Sequence, residues 1–377
     1  MADDEVGARH GTGGRRLRRI LMVLLGAILI EYLVLPQIAG ARKALHTLGK
    51  VEPGWLVIGV VLVAAAVVCY AELTRTLLPP SRRPGRSTLL RITMSTLGLS
   101  HVVPGGTAVG SSMGYRLLTT SGVQGTDAGF VIATEGLGSA VVLNMLLWLG
   151  LIVSIPIRGF NPLYGTAAVL GALLLALVGG AVVALTKGEE RLAAVVCGVA
   201  DRVPFLDGAD VSAVLHRVAV RLRGLVAQPR LLASAVTWAA LNWVLDMAAL
   251  WVFLAAFGYR VGLDGLVISY GLANVLAAVP LTPGGLGVIE GVLTATLVGF
   301  GTPRAAALLG VVSYRLVNFW LPIPLGALSY LSLRVDEDVA RRAKELRRLA
   351  EEAEEQAPGA REWARQRGVR MPRRRRA

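Results

Sequence analysis

Long apolar runs separated by short polar connectors fill most of this chain between residues 20 and 333. Such runs approach the ~20 residues that a helix needs to cross a bilayer. Helix-stopping prolines follow the first two runs, at Pro36 and at Pro79. The pattern predicts an all-α polytopic membrane protein with about six full transmembrane helices, at 20–35, 54–78, 127–155, 163–186, 231–257 and 302–333.

Two further apolar stretches, 87–118 and 263–300, are each interrupted by Pro-Gly-Gly. Proline and glycine end a helix and let the chain reverse, so both stretches predict re-entrant or broken helical hairpins. Irregular backbone at membrane depth is tolerated only where protein or a polar cavity satisfies it, and paired interruptions mark substrate sites in transporters. The tips are therefore predicted substrate-binding residues: Pro104, Gly105, Gly106, Pro283, Gly284 and Gly285.

The distribution of lysine and arginine predicts the orientation. Of the 39 basic residues, 31 lie in the N-terminal segment, the 75–91 loop, the 187–230 segment and the tail. The positive-inside rule then places both termini in the cytoplasm of a multi-pass protein of the cytoplasmic membrane. On this topology the two hairpins enter from opposite sides. The chain would be an inverted repeat, with a first unit at about 54–155 and a second at about 231–333.

Three polar segments lie outside these two units. Residues 1–19 form a basic N-terminus, and 187–230 is too charged to cross a membrane. The latter has apolar residues at helical spacing with arginines among them, which favours a helix on the membrane surface and leaves a partner-binding helix as an alternative. In the tail, 334–377, we expect a helix at about 336–356 and then a basic arm. We expect the arm to bind an anionic lipid surface and not nucleic acid.

Four ionisable side chains are embedded in the predicted spans and hairpins: Glu135, Asp246, Glu290 and Arg315. Such a group costs about 2.5 to 3.5 kcal/mol near the bilayer centre, so it faces a cavity, has a partner or has a function. One interpretation is a structural ion pair. The other is a substrate site in which Arg315 binds a phosphate bidentately and Glu290 or Glu135 balances its charge.

The composition argues against other classes. The chain is 54% hydrophobic, which is unlike a soluble enzyme, and its two cysteines and four histidines lack metal-ligand spacing. No nucleophile, base and orienter pattern and no phosphate-binding loop is apparent. We therefore expect no catalytic residue, no metal and no cofactor. The sequence does not predict an oligomeric state.

The second tip also resembles a known family. Leu281 to Glu290 (LTPGGLGVIE) and the later Ser313 to Leu316 (SYRL) are similar to the signature of the lysylphosphatidylglycerol synthase transmembrane region, also called the flippase-like or YbhN-like family. The first tip departs from the family pattern, because Gly106-Thr107-Ala108 stands where a charged residue often follows the proline. The likeness covers roughly residues 15–335.

The resemblance implies a carrier whose substrate is a membrane lipid, either a phospholipid or a polyprenyl-linked lipid, moved across a bacterial cytoplasmic membrane. Family members that transfer lysine have a soluble aminoacyl transferase domain after the membrane region, and no such domain is recognised here, so lysine transfer is not predicted. Two alternatives stay open. One is a membrane-embedded transferase acting on a lipid-linked substrate, and the other is a scaffold for envelope-synthesis enzymes.

Overall fold

The computed structural model describes residues 52–103, 105–158, 227–277 and 282–367, with isolated positions between 165 and 224. The predicted spans at 20–35 and 163–186, the surface helix within 187–230, the N-terminus and Pro104 lie wholly or largely outside the described residues.

Every regular element in the described part of the chain is helical, as predicted. A 3₁₀ turn lies at Pro80–Arg82, and a π-helical turn lies at Leu316–Trp320. The second hairpin has a 3₁₀ turn, Pro283–Gly285, at its tip. The nine helices described are α1 Pro53–Leu77, α2 Arg86–Val102, α3 Gly106–Thr120, α4 Gly125–Arg158, α5 Pro229–Ala256, α6 Leu263–Ala277, α7 Val288–Gly299, α8 Arg304–Arg315 and α9 Pro322–Gln366.

Four described segments are long and apolar enough to cross a membrane: Pro53–Leu77, Gly125–Pro156, Pro229–Ala256 and Arg304–Asp336. They coincide with four of the six predicted spans, which confirms that the chain is a helical membrane protein. The arms of the second hairpin, α6 and α7, are apolar but shorter than a span.

The buried apolar side chains form one large cluster around each hairpin. The first combines α2 and α3 with the end of α1 and parts of α4 and α5. The second combines α6, α7 and α8 with most of α5. Because α1, α4 and α5 contribute to both clusters, they connect the two hairpins into one body.

Glycines allow two of the closest helix contacts. Gly59 of α1 lies under the ring of Phe253 of α5, where a Cβ atom would collide with the ring. At the crossing of α2 and α9, Gly98 and Gly326 bring the two backbones together, and a Cβ on either would meet the other helix's backbone. Close approach of this kind stabilises helix pairs in lipid, where packing replaces the hydrophobic effect.

The tips use glycine for its backbone freedom. Gly105 turns the first hairpin with φ 68°, and the second tip has three such residues, Gly284, Gly285 and Gly287, at 53°, 69° and 81°. Side-chain-bearing residues rarely adopt positive φ, so these positions require glycine.

The tail differs from the prediction in its boundaries. The helix expected at 336–356 is present, but it continues the last span without a break and extends to Gln366. The expected break at 334–335 is absent because Leu333-Arg334-Val335 contains no helix-breaking residue. The start of the predicted arm is helical, and residues 368–377 lie outside the described chain.

Candidate functional site

Arg315 lies at the junction of α8 and the π-helical turn, inside the last apolar segment. Its side chain is only 5% exposed. A single π turn within a helix widens the backbone locally and often occurs at functional sites. Phe319, four residues after Arg315 within this turn, lies beside it, with the guanidinium carbon 4.4 Å from the ring centre.

The guanidinium of Arg315 binds both sides of the second tip. Its Nε donates to Oε1 of Glu290 at 2.5 Å, and Nη2 donates to the carbonyl oxygen of Gly284 at 3.2 Å. The carbonyl of Gly284 points out of the helical ladder because this residue is left-handed. One cation therefore neutralises a carboxylate and satisfies an irregular backbone group, which membrane depth requires.

Glu290 is positioned by the start of α7. Its Oε2 accepts a hydrogen bond from the backbone N–H of Gly287 at 2.6 Å, so the carboxylate caps the helix whose N-terminal dipole also favours negative charge. The side chain is 23% exposed, more than that of Arg315. The ion pair is thus reachable from the carboxylate side.

The two hairpins meet at this pair. His101, near the end of α2, stacks on Phe319 with ring centres 4.5 Å apart, and its Nδ1 lies 3.0 Å from the carbonyl oxygen of Phe319. A carbonyl only accepts, so Nδ1 carries the proton. A Cβ atom at Gly284 would touch both rings. The stack of His101, Phe319 and Arg315 joins the first hairpin to the second tip.

Asp246 of α5 forms a second polar centre beside the first. It accepts hydrogen bonds from the hydroxyls of Tyr270 and Tyr314, at 2.5 and 2.6 Å, and from the side-chain amide of Asn318 at 2.6 Å. These donors come from α6, α8 and the π-helical turn. Because Tyr314 and Asn318 flank Arg315 in sequence, Asp246 fixes the backbone that presents the guanidinium.

Glu135 of α4 lies apart from the Arg315 and Asp246 centres. Its carboxylate is buried beside Thr74 and Tyr70 of α1, with 6% of the residue exposed. Its Oε1 has no hydrogen-bond partner among the described residues. The described hydrogen bonds of Arg315 go to Glu290 and Gly284 and not to Glu135.

The predicted site residues therefore separate into groups. Gly284, Glu290 and Arg315 are directly bonded, Asp246 adjoins them through Tyr314, and Gly285 follows in the same turn. Gly105 and Gly106 form the other tip, and Pro283 opens the 3₁₀ turn.

Sequence reasoning assigned no role to Phe319 or Tyr270, which complete the centre, and it left the depth of His101 open. Phe319 lies one helical turn after Arg315, and that spacing was the available signal. No metal-ligating group of three residues occurs in the described ranges.

The similarity to known proteins agrees with this architecture. The model of the lysylphosphatidylglycerol synthase transmembrane region matches residues 19–326, which include both hairpins and Arg315. The chain belongs to this family. The resemblance seen in the second tip is thereby confirmed.

The chain has relatives in archaea and bacteria, in keeping with its place in the lysylphosphatidylglycerol synthase transmembrane family. A UPF0104 membrane protein of Methanothermobacter thermautotrophicus is 21% identical over 335 residues, covering 84% of this chain and 96% of the relative. The inner membrane protein YbhN of Escherichia coli is 27% identical over 94 residues, or 25% of this chain and 29% of the relative. A UPF0104 membrane protein of Pyrococcus horikoshii is 26% identical over 110 residues, covering 29% and 33%.

Proposed function

We propose that this protein is a carrier, and not an enzyme, that moves a phosphate-bearing lipid across the cytoplasmic membrane by alternating access. The observation that supports the proposal most is the buried pair of Arg315 and Glu290 at the point where two helical hairpins meet. Membership of the lysylphosphatidylglycerol synthase transmembrane family supports a role connected with lipids.

In this proposal the lipid phosphate replaces Glu290 on Arg315. Guanidinium stays charged at low dielectric and can donate two parallel hydrogen bonds to a phosphate, as it does to a carboxylate. Glu290 balances the charge when no lipid is bound, which avoids a lone buried cation. Its other oxygen remains on the N–H of Gly287, so the carboxylate has an anchor when it releases the arginine.

The alternation would come from the inverted repeat. A span, a two-armed hairpin and a second span follow one another twice, first as α1 to α4 and then as α5 to α9. If the two hairpins enter from opposite sides, one tip faces each leaflet while both touch near His101 and Gly284. Rocking of one unit against the other would expose Arg315 to one side at a time.

Glu135 would serve separately from the phosphate site. A buried carboxyl group with an unpartnered oxygen is costly unless it is protonated or does work. We therefore assign it as a candidate proton carrier against α1 and leave it out of the direct contacts to lipid.

Reconstitution distinguishes the carrier from the alternatives. Purified protein in proteoliposomes with a fluorescent phospholipid in one leaflet should redistribute the label between leaflets, and the lipid recovered should be chemically unchanged. A lipid product of altered mass, formed with a second lipid-linked substrate, would favour the transferase. Absence of both activities across phospholipid and polyprenyl-phosphate substrates would favour a scaffold.

The opposed entry of the hairpins is tested by cysteine accessibility. Thr107 after the first tip is exposed and Leu286 after the second is partly exposed, so both accept a cysteine without a positive-φ backbone. In a background without native cysteines, an impermeant thiol reagent should label Thr107→Cys from the cytoplasmic side and Leu286→Cys from outside. Labelling of both from one side would remove the inverted repeat.

A further inference from the structure

A pocket distinct from the Arg315 site lies between the first hairpin and the last helix. Its volume is about 390 Å³, within the range of small-molecule sites. One wall is a single face of α3, and the others come from α2 and α9. The lining residues used below are Leu99, Ser112, Met113, Arg116, Tyr330 and Arg334.

The pocket has a polar end and an apolar end. Arg116 and Arg334 lie at one end, with the hydroxyl of Tyr330 accepting from Nε of Arg334 at 2.9 Å. Leu99 and Met113 form the apolar remainder. Arg116 has no ion-pair partner within the part of the chain that the structure describes. Two guanidinium groups on one cavity attract an anion with several oxygen acceptors.

The depth of these residues identifies the kind of anion. In α9 the apolar segment gives way to charged sequence at Arg334, and Asp336 shortly after it pairs with Arg91 at 2.7 Å. This is the level at which a membrane helix leaves the hydrocarbon. Arg116 is likewise near the end of α3, whereas Leu99 lies toward the hairpin tip. The arginines therefore lie at headgroup level and the apolar wall at acyl-chain level.

We propose that this arginine pocket, defined by Arg116 and Arg334, binds the phosphodiester headgroup of an anionic membrane phospholipid. The pocket volume suits a headgroup and glycerol, with the acyl chains continuing along Leu99 and Met113 into the bilayer. The hydroxyl of Tyr330 accepts from Arg334 and keeps its own hydrogen for an ester oxygen, while the hydroxyl of Ser112 donates to the carbonyl of Val109 and can accept from a glycerol hydroxyl. The site is separate from the transport site, since the described hydrogen bonds of Arg315 and Glu290 go to none of its lining residues.

Binding is tested on the full-length protein in detergent by native mass spectrometry with added phosphatidylglycerol or phosphatidylcholine. The parent should retain phosphatidylglycerol preferentially. The double variant Arg116→Gln with Arg334→Gln should lose at least about tenfold in affinity, because each charge-assisted contact contributes about a factor of ten. The matched control, Arg347→Gln with Arg348→Gln, removes the same charge from an exposed part of α9 and should bind like the parent.

Two further variants test whether the lipid occupies this pocket or the transport site. Ser112→Trp fills the cavity without changing charge and should also weaken retention. Arg315→Lys should still retain the lipid that depends on Arg116 and Arg334, so adding Arg116→Gln and Arg334→Gln to it should lower phosphatidylglycerol retention further. Equal retention by the parent and the double arginine variant would overturn the proposal. Equal retention by Arg315→Lys with and without the two pocket substitutions would also overturn it, because the lipid would then lie in the transport site. Competition by millimolar inorganic phosphate as strong as by lipid would show a free-anion site instead.

Discussion

The two hairpins have the same outline but are held by different forces. In the first, α3 packs directly on α2 because Gly110 and Gly114 leave room for Thr96 and Ser100. In the second, Gly291 faces open space, and the tip is fixed by Arg315 through Glu290 and Gly284. The tip of the first hairpin is thus held by backbone packing, and the tip of the second is held by an ion pair in addition to the apolar cluster around its arms.

This difference indicates which hairpin carries the candidate substrate site. Packed glycines close the space between the two arms near the tip of the first hairpin. An ion pair with a partly exposed carboxylate can exchange one partner for another, and it costs more to bury than an apolar pair of similar volume. We infer that the second hairpin recognises substrate and the first supports it through His101.

Removal of one charge should have the largest effect on stability. Glu290→Leu leaves the guanidinium of Arg315 buried without its carboxylate, and we expect a loss of about 3 kcal/mol in unfolding free energy. Thermal unfolding in detergent measures it. The double variant Arg315→Met with Glu290→Leu should recover most of the loss while remaining inactive in transport. If the double variant were both stable and active, the pair would be dispensable.

The next largest effect is expected from adding one methyl group to a glycine, which should change the stability of the two hairpins differently. Gly106→Ala places a Cβ atom against the carbonyl of Ser100, and overpacking of this kind costs about 1–3 kcal/mol. Gly291→Ala meets nothing within 4 Å and should be neutral or stabilise α7 by up to about 1 kcal/mol, since alanine is the better helix former. Unfolding temperatures of the two variants check the contrast. Equal changes in both would show that packing does not distinguish the hairpins.

The contact between the hairpins should have an intermediate effect. His101→Phe keeps an aromatic ring over Phe319 but removes the hydrogen bond to its carbonyl, so we expect a loss of about 1 kcal/mol. His101→Ala removes the stack as well and should cost more. If both variants unfold at the parent temperature, the tips are not coupled through this contact.

The smallest effect on stability is expected at Arg116, on α3 of the first hairpin. Arg116 is exposed in the described structure, so Arg116→Gln should change unfolding free energy in lipid-free detergent by no more than about 0.5 kcal/mol. A loss as large as that of Glu290→Leu would mean that the first hairpin also depends on a buried charge.

Much of this architecture could be predicted because local amino-acid composition determines where membrane-spanning helices form and where they are interrupted. The described spans begin and end within a few residues of their predicted bounds, apart from the tail helix, and Pro-Gly-Gly marked both tips. The hydrogen-bond partners of Arg315 were harder to predict. Glu290 and Glu135 were both candidates because each is embedded in an apolar segment, and only three-dimensional packing places Glu290 on Arg315 and Glu135 beside Thr74 on α1.

Other features had no local signal. The crossing of Gly98 with Gly326 and the stack of His101 on Phe319 join residues that are far apart in the sequence. Asp246 accepts hydrogen bonds from Tyr314 and Asn318, which lie before and within the π-helical turn, and no periodicity reveals these contacts. Contacts of this range arise from tertiary packing and could not be read from the pattern.

The central claim is that Arg315 recognises the lipid phosphate, and the leaflet-resolved transport assay with Arg315→Lys tests it most directly. Lysine keeps the charge but loses the planar pair of donors. Rates are normalised to correctly inserted, folded protein, with Arg347→Lys at an exposed position of α9 as the matched substitution. We predict that Arg315→Lys transports at about one tenth of the parent rate or less, because the loss of one charge-assisted contact corresponds to about a factor of ten, while Arg347→Lys transports like the parent. Transport by Arg315→Lys at the parent rate would contradict the account and leave this arginine a structural role only.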